Sequence, residues 1–373
     1  EGRLAPPDPD ASAGLFAAAH KRFAAAASAA SEVSAIERAR LDFFDGKDDG
    51  TGPLGRFVGH IGDPALRARL VEILPGSADK PLSPTAVEDY GRCAFRFFAS
   101  RLLAAEAPEE KGDELDPADG GRLYHRVLER LFRRAGGPLY KKGEAGALKL
   151  LDETLGEVQV EWTERERRGH PALFAARVQK TKRELAALIT TEAEKQPFNG
   201  HVPAHFEREF RLEVPPPRGE EDPPLVVRGK IDRIDVDVGT GSAVVIDYKA
   251  GGKIGLQAQL RDDALLVTSF QLPIYGAAAR AELGLAPVSA AFYSIRDAQA
   301  TKRLDDPALF ALGPEERTGG GPNVADELWR MHRAMRAGDF RVRPTTCDRC
   351  DLSASCRVMI RRGGAAGDEG AAG

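Results

Sequence analysis

Two aspartates, Asp232 and Asp247, stand on either side of the polar turn GTGS, in the stretches LVVRGKIDRIDVDV and SAVVIDYK. The apolar residues of both stretches predict β-strands. A turn centred between Gly239 and Thr240 then pairs them so that Asp232 faces Asp247. Directly opposed residues of an antiparallel pair have Cβ atoms about 4.5–5.5 Å apart, where two carboxylates repel unless a cation sits between them. A divalent metal meets that need. Hard oxygen donors with few protein ligands suit Mg²⁺ or Mn²⁺, which retain waters and can bridge to a phosphate oxygen. Lys249 follows Asp247 by two positions, so the strand period puts its ammonium on the same face and turns Tyr248 to the other. That ammonium can stabilise charge growing on a phosphoryl group or orient an attacking water. The flanks are apolar on both faces, which predicts buried strands, and buried carboxylates need partners.

A second chemical cluster lies near the end of the chain. Cys347, Cys350 and Cys356 form C-x2-C-x5-C, and Cys93 is the fourth and last cysteine. Four thiolates fit either a structural Zn²⁺ or a [4Fe-4S] cluster, and spacing leaves both open. So few cysteines, most of them crowded together, predict metal ligation in a reducing compartment, the cytoplasm by default.

The elements that must position these groups follow from local pattern. Residues 11–45 are Ala-rich and read as one or two helices ended by Asp45-Gly46, and a short helix covers 64–74 before Pro75-Gly76. Ser83 and Pro84 open a helix that carries Cys93, with Ser83 as its cap. Residues 104–120 are acidic and read as a loop; GRLYHRVLERLFRR, 121–134, is helical and puts His125 and Glu129 on one face. A helical block over 144–195 has a packing role. From His205 the period changes to that of strands, in FEREFRLEV and the two hairpin strands. QLPIYGAAARAEL, 271–283, is a helix, AAFYSIRD a strand, 323–337 a helix, and the tail past Arg362 is Gly- and Ala-rich.

Taken together, GRLYH, GKIDRID and VVIDYK resemble, in order, the three motifs of RecB-like PD-(D/E)XK nucleases, and QLPIY is similar to the Gln-Tyr helix that follows them. The resemblance implies an α/β restriction-endonuclease-like core, a mixed central sheet flanked by helices. It implies a catalytic set of Asp232, Asp247, Lys249, His125, Gln271 and Tyr275, with His125, Asp232, Asp247 and Tyr248 around the metal. One cysteine ahead of these motifs and a C-x2-C-x5-C group behind them further resemble the iron-sulfur nuclease domain of AddB, the partner subunit in AddAB helicase-nucleases. LSPTAVEDYGRCAFRFFASRLL is similar to the segment around that family's first cluster cysteine. That likeness implies a [4Fe-4S] cluster on Cys93, Cys347, Cys350 and Cys356, acting chiefly as a staple, and an AddA-type helicase-nuclease partner. The expected organisation is a connecting region over 1–80, a nuclease domain over 81–360 with a helical insertion at 137–200, and a disordered tail over 361–373.

The 373 residues carry 53 Lys and Arg against 57 Asp and Glu, a net charge of −4, so no global field favours nucleic acid and any such contact must be local. Residues 331–362 hold eight Arg and three Asp, and Arg92, Arg96 and Arg101 flank Cys93; these are the expected contacts to DNA, single-stranded by preference. Phe95, Phe97, Phe98 and Phe340 read as core. At 42% apolar and 29% charged the chain is globular, and no apolar run is long enough to span a bilayer. The first residue is Glu1, and no phosphate loop of the G-x4-GK[ST] type is present, which reads as a piece of a longer protein without ATPase activity of its own. Two functions follow: a Mg²⁺-dependent deoxyribonuclease, an exonuclease by expectation, in double-strand-break repair and recombination, or a non-catalytic iron-sulfur module for DNA binding and subunit docking.

Overall fold

A computed structural model describes residues 30–105, 117–165, 171–317, 323–347, 350, 352 and 356. The first part of the Ala-rich helix, most of the acidic loop, the arginines beyond Cys356 and the tail lie outside the described residues. The helices are α1 (30–44), α2 (Pro64–Ile73), α3 (Pro84–Arg92), α4 (Ala94–Phe97), α5 (Pro117–Ala135), α6 (Gly143–Arg165), α7 (Pro171–Glu194), α8 (Lys253–Ala258), α9 (Gln271–Leu283) and α10 (Val324–Arg336). The strands are β1 (Val202–Val214), β2 (Leu225–Val236), β3 (Ala243–Lys249), β4 (Val288–Ser294) and β5 (Gln299–Ala300).

They form one mixed sheet in the order β1-β2-β3-β4-β5: β2 runs antiparallel to both β1 and β3, β3 and β4 are parallel, and β5 turns back on β4. A parallel pair needs a crossover, and α8 and α9 supply it. Two cores sandwich the sheet. On one face Ile234, Val245, Ala290 and Phe292 pack with Leu272 and Ile274 of α9, Val87 of α3 and Leu328 and Trp329 of α10. On the other, Val244, Ile246, Tyr248 and Tyr293 pack with Leu123, Val127, Leu128 and Leu131 of α5 and with Leu151, Leu155, Leu185 and Leu188 of α6 and α7. This is the expected mixed sheet between helical layers. The block over 144–195 is thus the outer layer of the second core.

Local signals worked where the chemistry is short-range. Ser83 caps α3 by accepting from Ala86 N at 3.1 Å, with Pro84 as its first residue. Residues near the N-terminal end also join those near the C-terminal end: Phe340 N donates to Gly59 O, Val342 N to Val58 O and Ile61 N to Gly338 O. Among the described residues no helix is long and apolar enough to cross a membrane.

Candidate active site

The hairpin register is the expected one: Arg233 pairs with Ile246, Ile234 with Val245 and Asp235 with Val244. The ladder stops there, one pair short of Asp232 and Asp247. The next amide, Tyr248 N, donates instead to Asp232 Oδ2 at 2.8 Å. The strands therefore part at the two aspartates. In β2 Ile231 packs in the first core, whereas Arg233 lies over the Phe132 ring of the second core. Residues two apart in a regular strand share a face, so the alternation breaks at Asp232.

The neighbouring strand breaks at the same level. Phe206 packs toward the second core and Phe210 toward the first, and between them Glu207 has φ +48°. Left-handed backbone is costly for a residue with a Cβ and persists where surrounding structure demands it. Here it turns the Glu207 carboxylate into the gap: Oε1 lies 3.6 Å from His125 Nδ1, and Oε2 is ion-paired with Lys230. His125 comes from α5, and its Nδ1 also lies 3.1 Å from Asp232 Oδ1. One ligand atom each from His125, Glu207 and Asp232 fall within 4.8 Å of one another. Glu207 is the site residue that sequence reading missed; only its place in an E-R-E run marked it, and the break in alternation is invisible in a period-two pattern.

Electrostatics at the site reflect crowded acids. Burial works against charge on His125, but its hydrogen bonds to Asp232 and Glu207, together with the Asp247 charge, outweigh it and push the imidazole up to about 10. Burial pushes Asp247 up to about 6, helped by the Asp232 charge and opposed by the Lys249 ammonium. Lys249 Nζ stands 2.7 Å from Asp247 Oδ2, an ion pair inside the site. Lys249 also donates to Gln271 Oε1 at 2.5 Å. Gln271 opens α9, and Tyr275, one turn on, packs edge-on against Phe210; burial and the nearby Asp247 and Asp232 charges raise its phenol. His125, Asp232, Asp247, Lys249, Gln271 and Tyr275 are thus all drawn to one place from α5, β2, β3 and α9.

Tyr248 behaves differently. Its ring is buried on the opposite face, where its hydroxyl accepts from Arg233 Nη1 at 3.0 Å. Only its main chain reaches the aspartates. Glu129, on the His125 face of α5, pairs with Arg133.

The donor set fits a hard divalent cation. Two carboxylates and an imidazole converge, a third carboxylate, Asp247, is buried beside Asp232, and the His125 side chain is 31% exposed, which leaves a route from solvent. Such a cation would take the place of the His125 proton as counter-charge to the acids. The cysteines converge at a second place: Cys93, Cys347, Cys350 and Cys356 line one cavity with Arg92, Arg96 and Phe95, and the carbonyl of Cys356 accepts from Arg40 of α1. Cys93, Cys347 and Cys356 are buried. Burial is the largest influence on the Cys93 thiol and raises it, and the Cys350 and Cys356 sulfurs push it further up. Four thiols around one cavity suit a thiophilic metal or cluster.

Among the described residues, several arginines of the expected basic surface are ion-paired within the protein. Arg92 pairs with Glu88, Arg101 with Asp89, Arg333 with Glu220, Arg336 with Asp222 and Arg341 with Asp339. Arg343 lies over the Phe43 ring. Phe97 and Phe340 are fully buried, as a core reading requires.

Comparison with known proteins agrees with this geometry. An ATP-dependent helicase/deoxyribonuclease subunit of Staphylococcus saprophyticus is 27% identical over 184 residues, 45% of this chain and 15% of that protein. The protein of the same name from Lacticaseibacillus casei is 28% identical over 209 residues, 50% of this chain and 16% of that protein. The chain therefore spans about one sixth of the curated relatives it matches. A solved structure described as "Crystal structure of SSO0001" overlaps 54% of this chain and 80% of its own at 13% identity, with a TM-score of 0.25. The profile of the PD-(D/E)XK nuclease superfamily matches residues 81–357, a span that holds all four cysteines and every member of the acidic site. On that match, and on a mixed sheet that brings two aspartates and a lysine together at the open end of a hairpin, the chain belongs to the PD-(D/E)XK nuclease superfamily.

Proposed function

We propose that the chain is the nuclease part of an AddB-type helicase-nuclease subunit, a metal-dependent deoxyribonuclease that hydrolyses phosphodiester bonds of single-stranded DNA as an exonuclease. The reading extends to its setting: an AddA-type helicase-nuclease partner, and double-strand-break repair and recombination in the cytoplasm. The observation that carries it is the convergent group of His125, Glu207 and Asp232 beside buried Asp247, whose Oδ2 lies 2.7 Å from Lys249 Nζ. The names of the relatives support the setting, since both are called helicase/deoxyribonuclease subunits.

His125, Glu207, Asp232 and Asp247 would hold Mg²⁺ or Mn²⁺, together with the main chain of Tyr248. When bound, the ion supplies Lewis-acid charge at the scissile phosphate and makes water acidic enough to attack. Lys249 places an ammonium beside Asp247, where negative charge grows on the phosphoryl oxygens. Gln271 fixes the direction of that ammonium, and Tyr275 closes the site from α9. Asp232, Asp247 and Lys249 sit on strands packed from both sides, so their geometry is set before substrate arrives. The four cysteines would hold a [4Fe-4S] cluster, with Zn²⁺ as the other occupant their chemistry allows. It would staple α3 to the C-terminal segment.

The test is cleavage of labelled single-stranded DNA by anaerobically purified protein, with Mg²⁺ or EDTA, alongside Asp247→Ala. The expected result is cleavage that both EDTA and the substitution abolish while the folded state and the visible absorption of the cluster persist. Cleavage that survives Asp247→Ala would sink the assignment of the site.

A further inference from the structure

Helix α9 carries Gln271, the partner of Lys249, yet its own N-cap position, Phe270, offers no side-chain cap. The first amides of a helix need acceptors, above all when buried. Here they are met from another element: Oε1 of Glu88, in α3, accepts from Phe270 N at 2.9 Å and from Gln271 N at 3.1 Å. Glu88 is itself buried, 6% exposed. Its other oxygen, Oε2, accepts from Arg92 Nη2 at 3.2 Å, and the Arg92 carbonyl accepts from Thr345 N at 2.9 Å. Arg92 ends α3 and Cys93 follows as its C-cap.

The approach of α3 to the start of α9 is close enough to constrain sequence. A Cβ added at Gly91 would lie 1.9 Å from the carbonyl oxygen of Val267, so only glycine admits that backbone. Glu88 and Gly91, one turn apart, thus dock α3 onto the entry to α9.

We propose that Glu88 is a positioning residue for the reaction. It fixes the first turn of α9 by a carboxylate cap, so that Gln271 Oε1 holds the Lys249 ammonium at its place beside Asp247. A charged acceptor at a helix N-terminus also gains from the helix dipole. Glu88 touches neither phosphate nor metal in this scheme, and acts through Gln271. The inference rests on the nuclease reading for the role of Lys249, while the cap can be read out without any cleavage.

The experiment uses the full chain with its cysteine-bound group, comparing wild type, Glu88→Ala, Glu88→Gln and, as a control at the neighbouring α3 carboxylate, which pairs with Arg101, Asp89→Asn. Two quantities are measured: amide exchange at Phe270 and Gln271, and kcat and KM for labelled single-stranded DNA with Mg²⁺. Glu88→Ala is expected to lose exchange protection at those two amides while β2 and β3 stay protected. It should lower kcat by about 10- to 100-fold with KM within about twofold, the signature of a misplaced catalytic group. Glu88→Gln keeps an acceptor oxygen, so it should restore the protection and recover part of kcat. Asp89→Asn should match wild type in both. Unchanged protection at Phe270 and Gln271 in Glu88→Ala overturns the proposal, as does a glutamine variant no better than alanine. Should wild type itself fail to cleave, the nuclease reading is what falls, and the exchange pattern still decides whether Glu88 holds Gln271.

Discussion

Two carboxylate clusters share the strand β2 and end very differently. In the first, Arg233 is 1% exposed and donates to Asp235 through Nε and Nη2 at 2.6 Å each, to Glu192 of α7 at 3.0 and 3.2 Å and to Tyr248 at 3.0 Å, with its guanidinium 4.1 Å from the Phe132 ring centroid. Every acid there has a fixed cationic partner. In the second, Asp232, Asp247 and Glu207 share one histidine and two lysines, and the backbone of both β1 and β2 departs from regular alternation. Burial alone does not separate a structural cluster from a reactive one. Satisfaction does: the first cluster has nothing left to bind, and the second holds acceptors in excess of donors.

Substitutions can break that comparison. Asp247→Asn should lower cleavage about a thousandfold, because an amide cannot hold the ion or balance Lys249. The thermal midpoint should stay near wild type, since burial already disfavours the charged form of Asp247. The mirror experiment is Arg233→Ala, which should cost about 3–5 kcal/mol in a denaturant titration by stranding two buried carboxylates. Were Arg233→Ala as stable as wild type, the division between the clusters would be wrong. Glu207→Gln should weaken Mn²⁺ binding, followed by calorimetry, by about 10-fold or more and leave stability nearly intact. The smallest effect is expected from Tyr248→Phe: about 1 kcal/mol of stability from the lost Arg233 hydrogen bond, with cleavage within about twofold of wild type. A large loss of cleavage in that variant would place its ring in the metal site after all.

How far each cluster could be read from the chain differs for a physical reason. The hairpin register and the Ser83 cap follow from local periodicity and short-range hydrogen bonding, and the structure has them where the sequence puts them. His125 and Gln271 came into view through motif order, not through spacing. Glu207 did not come into view, because a single left-handed residue inverts the faces of β1 and no apolar pattern encodes that inversion. The arginines of the C-terminal segment look like a free basic patch in one dimension. In three, among the described residues, Arg333, Arg336 and Arg341 meet Glu220, Asp222 and Asp339, while the four arginines from Arg349 on lie outside the described residues.

The sequence by itself determined the elements, the two strands that carry Asp232, Asp247 and Lys249, and the inventory of four thiols, since period, turn chemistry and residue type are local properties. Tertiary structure alone decided which acids are tied to an arginine and which converge on a histidine. It set Arg233 against Asp235 and Glu192, placed Lys249 beside Asp247, turned Glu207 toward His125 and brought Glu88 across 182 residues of chain to the start of α9. The reason is that a carboxylate's chemistry depends on its desolvation and on the charges within a few ångströms, and those neighbours come from chain segments far apart in sequence.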